Sequence, residues 1–247
     1  MEELKLLVKF FINFGFWYGP KLFLMIKTGM VKNLKVPRIR YPLTLRKGTS
    51  DIPTFYQVFL YNEYKINYPL TPKVVIDGGA NVGLYALKIK NEFPDAKVIC
   101  VEPDPENFEA LTKNLSVYNN VYFENAGLWN KSTTLKVYDK HNAGKWAMVV
   151  EENEKDGTVK AISIGSLMEK YKLESVDVLK LDIETSEKQV FQNNYDDWLP
   201  KVKMLIVELH DWMEEGCSKP FFTAVNKAFP KYSYTMCREN TIITQVF

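Results

Sequence analysis

The sequence predicts an α/β fold built on a mostly parallel seven-stranded sheet, and three observations carry that prediction. From Lys73 onward, short apolar runs alternate with helical patterns, an order that builds a parallel sheet covered by helices. Residues 74–83 read VVIDGGANVG, an apolar strand that ends in Asp77 and runs into a turn of small residues. Such a strand delivers its last carboxylate and the following N–H groups to the crevice at the carboxyl end of a sheet. The chain closes with two β-rich runs, YSYTMC and TIITQVF, about the turn Arg238-Glu239-Asn240, which adds a terminal antiparallel hairpin. A length of 247 residues, with 46% hydrophobic and 25% charged residues, suits one globular α/β domain plus an attached element.

In chain order, residues 1–48 form a basic, aromatic accessory segment, helical first and extended later, and residues 49–247 form the main domain. Phe10, Phe11, Phe14, Phe16, Trp17, Tyr18 and Phe23 crowd the start, while Lys5, Lys9, Lys21 and Lys27 break every apolar run short of a membrane span. Glu2 and Glu3 spoil the basic leader of a secretory signal. Residues 35–47, with Pro37 and Pro42, read as an extended segment or edge hairpin. Ser50 or Asp51 then caps a helix with Pro53 in its first turn. Strands follow near 74–77, 98–102, 121–125, 177–182 and 203–209, with helices near 82–92, 105–118, 164–172, 186–194 and 219–229. Residues 131–163 interrupt the alternation with the strand-like runs TTLKVY, WAMVV and TVKAISI, a β insertion beside the expected crevice.

The net charge of +2 hides an asymmetry: residues 1–48 hold ten Lys/Arg against Glu2 and Glu3, a local +8 that leaves −6 for the rest. Two readings of this segment stand. It is an accessory helical layer packed on the domain or on a partner subunit, which makes a homo-oligomer in the second case, or residues 1–35 make peripheral contact with an anionic membrane through an amphipathic helix. The basic residues cluster at one end among Phe and Leu, which argues against a nucleic acid partner. Cys100, Cys217 and Cys237 are too few and too scattered for a disulfide framework or a zinc knuckle. A cytoplasmic location is the default, membrane-peripheral if the first segment touches a bilayer.

The turn after Asp77 has the composition of a nucleotide-cofactor loop. Gly78, Gly79 and Gly83 let the backbone approach a ligand, and Asn81 tolerates the left-handed region. A dinucleotide fingerprint would fall on Gly78, Ala80 and Gly83, with alanine where the backbone must approach a pyrophosphate, and the Gly-Lys-Ser/Thr ending of a phosphate loop is missing. The remaining pattern, Asp-x-Gly-x-Asn-x-Gly, is similar to the loop of S-adenosylmethionine methyltransferases. Nineteen residues beyond Gly83, the apolar run AKVICVE ends in Glu102, placed to accept hydrogen bonds from ribose hydroxyls. A NAD-dependent oxidoreductase shares that acid and stands as a rival. Asp104 follows, also suited to cap the next helix.

Chemistry concentrates at the ends of the last two parallel strands. LKLDIETSE places Asp182 and Glu184 at i and i+2, and LIVELHD places Glu208, His210 and Asp211 at the neighbouring strand end. A carboxylate and imidazole cluster removes a proton from a hydroxyl, with Glu184 or His210 as base, or binds a divalent metal through Asp182, Glu208 and His210. Oxygen-rich ligands with one histidine suit Mg2+ or Mn2+ better than zinc. The alternative is that these residues cap the following helices. His141 lies in a polar turn, and Trp129, Trp146 and Trp198 read as core.

Residues from about 44 to 247 resemble the FkbM family of S-adenosylmethionine-dependent methyltransferases. The stretches that carry the resemblance are GTSDIPTFYQVFLYNEY, VVIDGGANVGLYAL, VICVEPDPENFEALTKNL, NAGLWNKSTTLKV, VDVLKLDIETSE and MLIVELHD. The resemblance implies a Rossmann-like class I methyltransferase fold and an O-methyltransferase acting on a hydroxyl of a sugar, glycan or related small-molecule metabolite. It implies that Asp77, Gly79 and Asn81 hold the methionine part of the cofactor, Glu102 and Asp104 the ribose, and that Asn125 and Ala126 border the adenine. A more distant resemblance, to metal-dependent sugar and catechol methyltransferases, suggests catalytic roles for Asp182 as a ligand and Glu184 as a base. Where the family motif has glycine after Asp-x-Glu, this chain has Thr185, with Ser186 and Glu187 behind it, so a binding module without turnover is the second reading.

Overall fold

Successive residues of the central strands feed opposite faces of one sheet, which is why these strands are apolar almost throughout. The computed structural model describes residues 1–138, 149–152 and 157–246. Helices α1 (Glu2–Lys27) and α2 (Asp51–Phe59) precede β1 (Val74–Gly78), α3 (Leu84–Glu92), β2 (Lys97–Val101), α4 (Pro105–Leu115) and β3 (Val121–Glu124). Four strands come next: β4 (Gly127–Leu128), β5 (Thr133–Tyr138), β6 (Val149–Glu152) and β7 (Val159–Ile162). The chain then runs through α5 (Ile164–Lys170), β8 (Val176–Leu181), α6 (Glu187–Gln192), β9 (Val202–Glu208), α7 (Ser218–Ala228), β10 (Tyr232–Cys237) and β11 (Asn240–Gln245).

Seven strands form one sheet in the order β10-β11-β9-β8-β1-β2-β3. The four pairings that join the five strands from β9 to β3 are parallel, while β11 runs antiparallel to β9 and to β10. The mostly parallel sheet with a terminal antiparallel hairpin is therefore the observed fold. Val75, Val98, Val178 and Ile206 pack on one face under α1 to α4, and Ile76, Ile99, Leu179 and Leu205 pack on the other under α5 to α7. From β1 the chain builds outward through β2 and β3, then returns to β8 on the other side. The sheet order reverses at β1, and the crevice outside that strand end is where such folds bind ligands.

Three expectations need correction. The first segment is not one amphipathic helix: Gly15, at φ 82° and ψ 169°, breaks α1 into two arms, and Lys27 reaches back to Glu3 at 2.7 Å. Neither Ser50 nor Asp51 caps α2 with its side chain. The Asp51 carboxylate is buried and accepts from Arg46, so it ties the extended segment to the helix instead. Strands β4 to β7 make a separate four-stranded sheet that starts at Gly127, ahead of the expected insertion. His141 and Trp146, with part of the WAMVV run, lie outside the described residues, and Trp129 and Trp198 are core residues.

Candidate active site

One cavity of about 410 Å³ opens at the carboxyl ends of β1, β2, β8 and β9, a size typical of small-molecule sites. The turn after β1 is shaped by a close approach. A Cβ on Gly79, at φ 69°, would lie 1.7 Å from the Asp182 carbonyl oxygen, so only glycine fits. Asn81 follows at φ 49°. Its Oδ1 is buried and has no protein partner among the described residues, and it lines the cavity. A polar atom buried at a cavity wall without a partner is a point where a ligand donor fits.

Glu102 shares this wall. Its Oε2 accepts the Asn81 N–H at 2.8 Å and its Oε1 accepts the Asp104 N–H at 3.0 Å. Burial pushes its carboxyl up to about 7, while those two N–H groups pull in the opposite direction. Each oxygen keeps a second lone pair for a hydroxyl. Asp104 caps α4 by accepting the Asn107 N–H at 2.9 Å, and it lines the cavity together with Ala126.

Other expected cofactor residues stand behind the wall. Asn125 donates to the Glu102 and Pro103 carbonyls and braces the turn between β2 and α4. Gly78 is covered by Leu128 and Leu181, and Gly83 opens α3 against Leu111 and Leu115. Asp77 is fully buried. Its partner is Lys180, which lies directly across the β1–β8 register with Nζ 3.3 Å from the Asp77 carboxylate. Lys180 Nζ also donates to the Gly79 carbonyl at 3.0 Å. Desolvation works against the Lys180 charge, but Asp77 and Asp182 outweigh it and raise its pKa. Burial raises the Asp77 carboxyl, and Lys180 draws it part of the way back.

The far wall carries the acids and the histidine, for Asp182, Glu184, Glu208 and His210 all line the same cavity. Glu184 and Thr185 both adopt positive φ, 49° and 76°, and this tight turn swings Glu184 back toward the strand ends. His210 is almost wholly buried. Its Nδ1 lies 3.1 Å from Glu187, and its Nε2 lies 3.4, 3.6 and 3.8 Å from Glu184, Glu208 and Asp182. Desolvation opposes charge on this ring, yet Glu187 and the surrounding carboxylates win and raise it to about 10, which makes it an imidazolium. Desolvation pushes Glu184 and Glu208 up to about 8 against the pull of His210. One ligand atom from each of Asp182, Glu208 and His210 lies within 4.8 Å of the others, close enough to share a cation.

Sequence reasoning missed Lys180, Glu63, Glu239 and Trp212, all of which line the cavity. Lys180 had a signal: with Asp177 it is one of two charges inside a wholly buried strand, and it lies two positions before Asp182 and so on the same face. Glu63 follows α2 and Glu239 sits in the β10–β11 turn, and nothing local in the sequence joins them to the site.

This chain is similar in sequence to two curated methyltransferases. Methyltransferase sdnD of Sordaria araneosa is 26% identical over 197 residues, 66% of this chain and 75% of its own length. Methyltransferase 1 of Beauveria bassiana is 26% identical over 183 residues, 62% of this chain and 73% of its own length. Among solved structures, the FkbM methyltransferase of Methylobacillus flagellatus aligns at a TM-score of 0.48 with 12% identity, over 98% of this chain, which spans 58% of that one. A family model for the methyltransferase FkbM domain matches residues 77–236, from Asp77 near the end of β1 into β10 of the terminal hairpin. With more than half of the chain matched, including both walls of the cavity, this protein belongs to the FkbM family of methyltransferases.

Proposed function

We propose that this methyltransferase binds S-adenosylmethionine along the wall formed by Gly79, Asn81 and Glu102 and methylates a hydroxyl of a sugar, glycan or related metabolite. One observation carries the reading: the proton-accepting group Glu184 lines the same cavity as the cofactor loop. Asn81 and Glu102 take up the polar groups of the amino acid and ribose, and Asp104 and Ala126 border the rest. S-adenosylmethionine, when bound, supplies a methyl group on a sulfonium whose leaving group is a neutral thioether.

The chain's own task is to align the acceptor hydroxyl and to take its proton, and alignment is the larger contribution. A new O–CH3 bond forms as the S–CH3 bond breaks, and the hydroxyl proton passes to Glu184. His210 is already protonated, so it serves as the fixed cation among the acids and not as the base. Glu184, raised by burial to about 8, becomes the free carboxylate that a base must be as pH rises through 8, where His210 is still protonated. The free thiols of Cys100, Cys217 and Cys237 support a cytoplasmic setting.

A second reading places Mg2+ or Mn2+ among Asp182, Glu208 and His210, and the 4.8 Å grouping of their ligand atoms favours it. The metal would lower the pKa of the acceptor hydroxyl. His210 would first have to release the proton that Glu187 and the other carboxylates hold. Initial rates with a hydroxylated acceptor, with and without EDTA, separate the two. Under the first reading EDTA leaves turnover unchanged, and Glu184→Gln lowers kcat by about 10²- to 10⁴-fold. Loss of turnover with EDTA and its return with Mn2+ would replace the direct base with the metal. Near-normal turnover of Glu184→Gln, Asp182→Asn and His210→Ala would make the whole cluster structural.

A further inference from the structure

The two arms of α1 form a helical hairpin with a sorted surface. A Cβ on Gly19 would lie 2.5 Å from the Phe10 carbonyl oxygen, so the arms are packed backbone to backbone. Phe10 meets Phe23 edge-on at 5.6 Å, and Phe10, Leu22 and Ile26 join the core beneath. The outer surface is apolar as well. Leu4, Val8 and Ile12, spaced i, i+4 and i+8 along the first arm, are 66%, 46% and 76% exposed. Beyond the Gly15 break, Phe16 and Trp17 project at 70% and 86% exposure, and Leu24 on the second arm is 56% exposed. Isolated exposed apolar residues need no explanation, but a stripe that ends in two adjacent aromatics marks a contact surface.

The charges beside this stripe select its partner. Lys5 follows Leu4 along the edge of the stripe, Lys21 lies one turn from Trp17 and Leu24, and both lysines are exposed. The hairpin of residues 2–27 holds Lys5, Lys9, Lys21 and Lys27 against Glu2 and Glu3, a net +2, within a segment of residues 1–48 that carries +8 in a chain whose remainder is −6. Two such hairpins placed face to face would repel, whereas a bilayer with anionic headgroups complements both the lysines and the aromatics. Among the described residues no helix is long and apolar enough to cross a membrane, so the contact is one of surface and not of span.

We propose that the hairpin of residues 2–27 docks on anionic phospholipid membranes, with Phe16 and Trp17 inserted at the headgroup level and Lys5 and Lys21 beside the lipid phosphates. The proposal adds a location to the methyltransferase reading and rests on residues outside its cavity. The hairpin is nevertheless tied to the segment that supplies Glu63 to that cavity: Asn13 donates to the Leu60 carbonyl at 3.3 Å, and Lys9 lies 3.7 Å over the Tyr61 ring.

The test is co-sedimentation of the full chain with vesicles of phosphatidylcholine alone and of phosphatidylcholine mixed with phosphatidylglycerol. The expected result is pelleting with the mixed vesicles, at least about ten-fold weaker binding to the neutral ones, and release by high salt. The variants Phe16→Ser/Trp17→Ser and Lys5→Glu/Lys21→Glu should each lose most of this binding while keeping the wild-type circular dichroism spectrum. Calorimetric binding of S-adenosylmethionine, measured on the same samples, should not change, which keeps this test separate from that of the cofactor site. The proposal is overturned if the wild type stays in the supernatant with mixed vesicles, or if the aromatic variant pellets as well as the wild type. It is also overturned if ultracentrifugation finds a dimer that the aromatic variant dissolves without any vesicle binding, which would assign the face to a second copy.

Discussion

Oε1 of Glu187 accepts from both Nδ1 of His210, at 3.1 Å, and the backbone N–H of Ile183, at 2.8 Å. This wholly buried carboxylate therefore joins the loop after β8 to the loop after β9 and turns the histidine's Nε2 toward Glu184, Glu208 and Asp182. A pKa of about 10, against an ordinary 6.5, means that His210 stabilises the fold fully below pH 6.5 and loses that contribution as pH rises through 10. Glu187→Gln should move the His210 titration toward its ordinary value, read from the imidazole proton resonances. It should also lower turnover while cofactor affinity holds, because Glu187 acts through His210. An unmoved imidazole titration would mean that the other carboxylates alone hold the charge.

Lys180 is the buried cation on which the floor of the cavity depends. Replacing it with methionine leaves Asp77 charged and without its ion pair, a change that costs about 3 to 5 kcal/mol of stability. Urea denaturation should find a loss of that order in Lys180→Met and a partial recovery in the double variant Lys180→Met/Asp77→Asn. Additive losses in the two single variants would show that the pair is not coupled.

Glu102 should make cofactor binding pH-dependent. Its carboxyl is raised to about 7, and the ionised form is the better acceptor for ribose hydroxyls. Affinity for S-adenosylmethionine should therefore weaken roughly ten-fold as pH falls from 8 to 6. Calorimetry with Glu102→Gln should give a weaker and flatter profile. The same raised pKa has the opposite effect on folding: its contribution is fully present below pH 4.5 and is lost as pH rises through about 7. A wild-type affinity that is flat between pH 6 and 8 removes Glu102 from the ribose.

Thr185 occupies a left-handed conformation, φ 76°, that a β-branched residue enters only at a cost. Thr185→Gly should relieve about 1 kcal/mol after the greater entropy of glycine in the unfolded chain is set against the strain. For a chain of this size that is a rise in Tm of about 2 to 4 °C. A lower Tm would mean that the packing of the buried Thr185 side chain outweighs the strain.

The sequence by itself determined the sheet, its terminal hairpin and the strand ends on which Asp77, Glu102, Asp182 and Glu208 stand. These depend on local periodicity, on strand length and on the small residues of one turn, all of which lie within a few positions of each other. Tertiary structure alone decided which of those residues meet and in what charge state. The Asp77–Lys180 pair exists because β1 and β8 align in parallel register across about a hundred residues of chain. Asn125 and Gly83 stand behind the cavity wall because the β2–α4 turn and the α3–α4 packing claim them first. His210 looks in sequence like a proton acceptor, but the ring is buried beside Glu187 and faces Asp182, Glu184 and Glu208 from the ends of two neighbouring strands, and these acids keep it protonated. The break at Gly15 is local, yet the hairpin it allows forms only because Phe10, Leu22 and Ile26 find the core below it. Periodicity fixes where a side chain stands along its own element, whereas its partners and its proton depend on burial and on distant charges, which only the packed fold brings within a few ångströms.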